Sequence, residues 1–301
     1  MSSLSKYAEI LHENITVKKN EDKILDIIIK TDLKNRVSIA QYYKATYGTS
    51  LFEEINTKIG GDFGYCAAQM FLSPLEFCIH HLTKGLDNSN ECAIEQLTSK
   101  TNEELQLIED AFNKTTGKDL KTEIKKAYKG PIGRNLVNLW DIKRKFKNNP
   151  DKTECENFAN ILAKNEPKDW VENEIIFKDI FIFHSPEELI LIARYYYKIT
   201  GINLLDNIEK KTVGNIKILL REILYNNIMP QELFAEKIYL SIKGLGTNEE
   251  TLSRILVSRH DLDMADIRDI YKNKYNSSLK EDIVGDTSDT YQKLCVYLSE
   301  K

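Results

Sequence analysis

Apolar and polar positions along this chain repeat over a distance much longer than a single helix. The recurring pattern is Ile, three residues, an aromatic, four residues, Gly, two residues, Leu, three residues, Ile. It fits Ile39, Tyr43, Gly48, Leu51 and Ile55, then Ile108, Phe112, Gly117, Leu120 and Ile124. It returns as Ile192, Tyr196, Gly201, Leu204 and Ile208, and as Ile267, Tyr271, Asn276, Leu279 and Ile283. An isoleucine and an aromatic four apart lie on one helix face, and Leu and Ile four apart lie on one face of the next helix. Gly, or Asn in the last copy, tolerates the left-handed conformation that ends the first helix. Each copy therefore predicts a helical hairpin.

Further signals place more helices around each hairpin. Thr101-Asn102-Glu103-Glu104, Ser185-Pro186-Glu187-Glu188 and Thr247-Asn248-Glu249-Glu250 read as capping boxes, the second with Pro at the first helical position. Ile28, Leu97, Phe181 and Leu256 hold equivalent places in the helix preceding each hairpin, and Pro74, Pro150, Pro167 and Pro230 fall between units or at their loops. The expected fold is all-α, with four repeats of about 70 residues and some five short helices each. The repeats are placed at residues 1–72, 73–148, 149–228 and 229–301. The Ile anchors at 39, 108, 192 and 267 lie 69, 84 and 75 residues apart, so the extra length falls between the second and third repeats. It includes the polar stretch 141–150, read as a linker.

Charge removes some functions from consideration. Lys plus Arg number 42 against 46 Asp plus Glu, a net charge of −4, so no global basic field points to nucleic acid. An anionic partner then needs a local patch or a metal. The runs 121–129 and 143–147 are the basic candidates, for phosphate headgroups, sulfated sugars or an acidic tubulin surface, or else as solvated helix faces. Five irregularly spaced cysteines without a Cys-x-x-Cys pair suggest reduced thiols in the cytoplasm. The first residues lack the apolar core of a signal peptide, and no run approaches the roughly 18 apolar residues that span a bilayer. Any membrane contact is expected to be peripheral, and the protein a monomer in solution.

The strongest chemical signal is Ile242-Lys243-Gly244-Leu245-Gly246-Thr247, followed by Asp286 forty residues after Gly246. Glycines let carbonyl oxygens turn toward one point, and Asp286 adds the charged oxygen ligand that calcium requires. Gly60-Gly61-Asp62 has similar ingredients and is a secondary calcium candidate, or alternatively a turn capped by Asp62. Gly244-x-Gly246 is not a dinucleotide fingerprint, because it lacks a third glycine and a preceding strand. Gly130-Pro131-Ile132-Gly133 lacks the Gly-Lys-Ser/Thr ending of a phosphate loop. Asp261, Asp263 and Asp266 lack the sixth-position Gly and closing Glu of an EF-hand and read as helix-start acids. The five histidines show no ligand spacing, and no nucleophile–base pair or paired carboxylates mark an enzyme.

Together, four 70-residue helical repeats, the longer link after the second, Lys-Gly-Leu-Gly-Thr-Asn-Glu-Glu-Thr-Leu, Ser258-Arg259 and Gly285-Asp286-Thr287-Ser288 resemble the annexins. The resemblance is strongest over residues 240–298. It implies a curved disc that binds anionic phospholipid through calcium, with Ile242, Gly244 and Gly246 ligating by carbonyl and Asp286 by side chain. In the same register Lys58, Ala127 and Lys211 stand where the first three repeats would need a carboxylate. Their first loops, read as 16–19, 85–88 and 169–172, have lost the glycine pattern, so three of four standard sites are expected to be dead. Trp170 matches a loop tryptophan of annexin third repeats, and Asp169, Glu172 or Glu174 are candidates for an irregular site. The degraded pattern resembles the divergent protist annexins, including the giardins, which implies the alternative of a cytoskeleton-associated structural protein.

Overall fold

The computed structural model describes residues 3–142, 150–244 and 246–301. The basic run 143–147 and most of the expected linker lie outside them. All regular structure among the described residues is helical. The first group comprises α1 (Ser3–Thr16), α2 (Glu21–Lys30), α3 (Leu33–Tyr47), α4 (Leu51–Glu54, continuing as a π-helical segment Ile55–Ile59) and α5 (Gly61–Gln69). The second comprises α6 (Pro74–Asn88), α7 (Glu91–Thr98), α8 (Asn102–Thr116), α9 (Leu120–Ala127) and α10 (Pro131–Val137). The third comprises α11 (Lys152–Ala163), α12 (Pro167–Glu172), α13 (Glu174–Ile176, continuing as a π-helical segment Phe177–Ile182), α14 (Pro186–Thr200), α15 (Leu204–Lys211) and α16 (Gly214–Ile228). The fourth comprises α17 (Pro230–Ile242), α18 (Glu249–Arg259), α19 (Met264–Tyr275), α20 (Leu279–Asp286) and α21 (Asp289–Glu300).

The hairpin pattern translates directly into packing. Gly48, Gly117, Gly201 and Asn276 end α3, α8, α14 and α19 with φ of 73°, 69°, 71° and 53°. Every Ile, aromatic and Leu of the four-copy pattern is buried, as are Ile28, Leu97, Phe181 and Leu256. A polar contact accompanies the apolar one: the Tyr43 hydroxyl donates to Glu54 Oε2 (2.6 Å) and that of Tyr271 to Asp282 Oδ2 (2.7 Å). In the third copy Asn207 Nδ2 donates to Tyr196 Oη (2.7 Å). An acid or amide eleven residues after the aromatic thus locks each of these hairpins, and only the second copy, with Phe112, lacks the hydroxyl.

The chain divides into two compact units that do not follow the order of the repeats. One joins Met1–Phe77 with Gln231–Lys301, and the other is Cys78–Pro230. The first and fourth helix groups share one core, and the second and third share another. Within the first unit a buried cation ties the two groups. Arg36 Nε donates to Met70 O (2.9 Å), and its Nη1 donates to the carbonyls of Thr31 and Ile28. Its Nη2 lies 3.3 Å from His260 Nε2 and 3.6 Å from Asp261 Oδ2. Burial lowers the Arg36 pKa, while Asp261 acts in the opposite direction.

Two expectations about loops change. Gly85 does not belong to a loop: it lies inside α6, where a Cβ would meet Ala93 N at 2.3 Å, so its role is close helix packing. Residues 169–172 belong to α12, and Trp170 is fully buried against Phe181 and Tyr196, with Nε1 donating to Leu162 O (3.2 Å) and Asn165 O (3.1 Å). An indole whose only donor is satisfied inside the core is a packing residue.

Candidate metal centre

The fourth interhelical loop begins where α17 ends at the buried Ile242. Gly244 and Gly246 have φ of +120° and +88°, a backbone that L side chains rarely adopt, which is why the loop needs glycine at both places. Leu245 between them lies outside the described residues. Asn248 N–H donates to Ser241 O (2.7 Å) and closes the loop. The ammonium of Lys243 sits 5.0 Å from the centre of the Tyr239 ring.

The expected capping box at Thr247 is displaced by one residue. Asn248 caps α18, accepting from Thr251 N–H (2.9 Å). The Thr247 hydroxyl is thereby released for another partner, Asp286, approaching its Oδ2 at 2.6 Å and its main-chain oxygen at 2.9 Å. The contact spans 39 residues and brings the glycine loop to the end of α20. Asp286 is half-exposed.

Supporting bonds hold α20 at both ends. At its start Asp282 accepts from the Tyr271 and Ser277 hydroxyls, the latter at 2.6 Å. At its finish Gln292 Nε2 donates to Val284 O (2.9 Å) and to Thr287 O. Thr247 was read from sequence as a helix cap, whereas Asp282 and Gln292 were not singled out. The spacing from Tyr271 to Asp282, repeated in Tyr43–Glu54 and Tyr196–Asn207, is a signal that could have found the first of these two.

The equivalent helix ends elsewhere differ in charge. Lys58 Nζ pairs with Glu54 Oε1 (2.8 Å), Lys211 Nζ lies 3.8 Å from Glu166 Oε2, and Ala127 offers no charge. At Gly60-Gly61-Asp62 both glycines have positive φ (68° and 60°), and the Gly60 carbonyl accepts Gly64 N–H (3.0 Å) as the first bond of α5. Gly60 is the cap position of α5, and Asp62 lies in its first turn. Glu174 is engaged by Lys178 Nζ (2.6 Å) and Arg134 Nε (3.3 Å), and the Lys178 bond leads in holding its carboxyl below the usual range. Two acids of the rejected EF-hand are ion-paired, Asp261 with Lys301 and Asp263 with Arg259, and Asp261 Oδ2 also lies 2.9 Å from His260 Nε2. Among the described residues no three His, Cys, Asp or Glu side chains are placed to hold a metal ion.

The annexin profile matches residues 78–139 and 233–298, and the latter stretch includes the glycine loop and Asp286. Annexin A13 of Homo sapiens is 30% identical over 282 residues, covering 93% of this chain and 89% of its own length. The chain belongs to the annexin family. A calcium-bound structure of annexin (Sm)1 is 25% identical, with a TM-score of 0.77 over 99% of this chain and 90% of that one. The calcium-bound alpha-14 giardin superimposes with a TM-score of 0.81 over 99% of this chain and the whole of its own, at 14% identity, a likeness of fold. Against this annexin frame the donor set fits calcium: a hard cation takes oxygen ligands, and the loop offers main-chain oxygens beside one carboxylate.

Proposed function

We propose that this annexin binds anionic phospholipid surfaces in a calcium-dependent manner through one ion in the fourth repeat, as a peripheral protein of the cytoplasm. The carbonyls of Ile242, Gly244 and Gly246 and the Asp286 carboxylate form the ligand set. When bound, the ion supplies open coordination positions for headgroup oxygens. The observation that carries this reading is the Thr247–Asp286 bond, which places loop and carboxylate side by side. Thr247 engages Oδ2, so Oδ1 is the carboxylate oxygen left for the ion.

A single carboxylate makes a weak site, on the order of 10⁻⁴ M or poorer without lipid. Lysine at two equivalent helix ends and alanine at the third remove the anionic ligand there, so the avidity of four sites on one protein is lost. Co-sedimentation with phosphatidylserine vesicles, with and without millimolar calcium, tests the reading. Wild type is expected to pellet to a greater extent with calcium than in chelator, and Asp286→Ala should lose that increment. A wild type that gains nothing from calcium at any concentration refutes it.

A further inference from the structure

In the fourth repeat the end of the helix corresponding to α20 is acidic, whereas the unit Cys78–Pro230 carries lysines at both corresponding ends. α9 ends on Ala127 and is followed by Lys129, with Lys125 one turn earlier. α15 ends on Lys210 and Lys211. Lys125, Lys129 and Lys210 are exposed and have no ion-pair partner within 4.0 Å among the described residues, and Lys211 reaches Glu166 only at 3.8 Å, with both side chains more than half exposed. Such a pair contributes little and leaves the ammonium available.

The two ends flank α12, the end of α9 through α10, where a Cβ at Gly133 would meet Lys125 Cα at 3.3 Å, and the end of α15 directly. At the C-terminal side of α12, Arg134 of α10 reaches Glu172 O (3.3 Å) and Glu174. At the N-terminal side Lys211 reaches Glu166. Two mostly exposed aliphatic side chains stand beside them: Ile175, just after α12, is 71% accessible and Val213, two residues beyond Lys211, is 82% accessible.

We propose that this surface contacts anionic phospholipid directly, with lysine ammoniums taking the place that calcium holds in the fourth repeat. The proposal rests on the membrane reading above and adds a calcium-independent part to it. Ammonium groups pair with headgroup phosphates, while Val213 and Ile175 enter the boundary between headgroups and acyl chains. The chemistry argues for a lipid surface over an acidic protein, since solitary aliphatic side chains among mobile lysines match a fluid layer of phosphate over hydrocarbon. The chain then holds to a membrane loosely at resting calcium and more firmly when the fourth-repeat ion binds.

The test is co-sedimentation of the full chain with phosphatidylserine-containing vesicles in chelator. Wild type is expected to bind at about 50 mM salt and to be released at about 500 mM, where screening shortens to a few ångströms. Lys210→Gln/Lys211→Gln should weaken chelator-resistant binding about thirtyfold, about fivefold per lysine, while keeping the melting temperature and the gain from calcium. Asp286→Ala should show the reverse. Absence of wild-type binding in chelator, equal binding to pure phosphatidylcholine, an unaffected double variant, or capture by polyglutamate but not by vesicles would each overturn the proposal. Chelator-resistant binding with no gain from calcium would support this contact and refute the calcium reading.

Discussion

Replacing Thr247 by valine keeps the size and branching of the side chain and removes one hydroxyl. That hydroxyl is the described link between the glycine loop and the Asp286 side chain, approaching Oδ2 at 2.6 Å and the main-chain oxygen at 2.9 Å. Two effects compete. The hydroxyl engages an oxygen that calcium also seeks, so removing it frees a ligand. It also holds the carboxylate at the loop before an ion arrives, so removing it returns rotamer freedom that binding must then take away. Immobilising a side chain costs about 0.5–1.5 kcal/mol. Because Asp286 is half-exposed and its hydrogen bond partly screened, we use about 1 kcal/mol, or about fivefold in affinity. Oδ1 remains to ligate while Thr247 keeps Oδ2, so the positioning effect is expected to win. Calorimetric calcium titration of the full chain should show Thr247→Val binding about fivefold more weakly and Thr247→Ser close to wild type. Equal or tighter binding by the valine variant would refute the argument.

Two further outcomes follow from the packing. Arg36→Met should destabilise the unit formed by Met1–Phe77 and Gln231–Lys301 by about 3 kcal/mol, since it leaves the carbonyls of Met70 and Thr31 without their donor and Asp261 without one cationic neighbour. Chemical denaturation would read this, and a loss below about 1 kcal/mol would show that water or Lys301 compensates. Gly85→Ala should cost about 2 kcal/mol or more, because its Cβ meets the backbone of Ala93, which cannot swing aside as a flexible side chain can. A thermal melt unchanged within error would disprove that close approach.

Much of this fold is legible in the chain because it is local. Ile and Tyr four apart, a left-handed terminator and Leu and Ile four apart report one hairpin without reference to anything distant, and the same register placed Asp286 opposite the glycine loop. The capping boxes at Thr101 and Ser185 form as read. The one at Thr247 does not, since a hydroxyl that can cap a helix can equally bind a carboxylate brought near by a later helix of the same group. Periodicity also says that a face is buried but not which face covers it, so the sharing of cores between the first and fourth groups was not visible. Arg36 was missed for the same reason: its acceptors, the Met70 carbonyl and the His260–Asp261 turn, come from distant segments. Trp170 was misplaced because α12, an extra turn of helix, occupies what the register treated as loop.

The sharing of cores sets an order of synthesis. The unit Cys78–Pro230 is contiguous and can close as soon as it emerges from the ribosome, whereas Met1–Phe77 must wait for Gln231–Lys301. At usual elongation rates the intervening segment takes roughly ten to thirty seconds to make. During that interval α2 and α5 have neither α18 nor α21 to cover them, and Arg36 has neither His260 nor Asp261. The earliest part of the chain to be made is therefore the last to acquire its core, and the nascent protein's greatest exposure to chaperones and proteases falls on its first helix group.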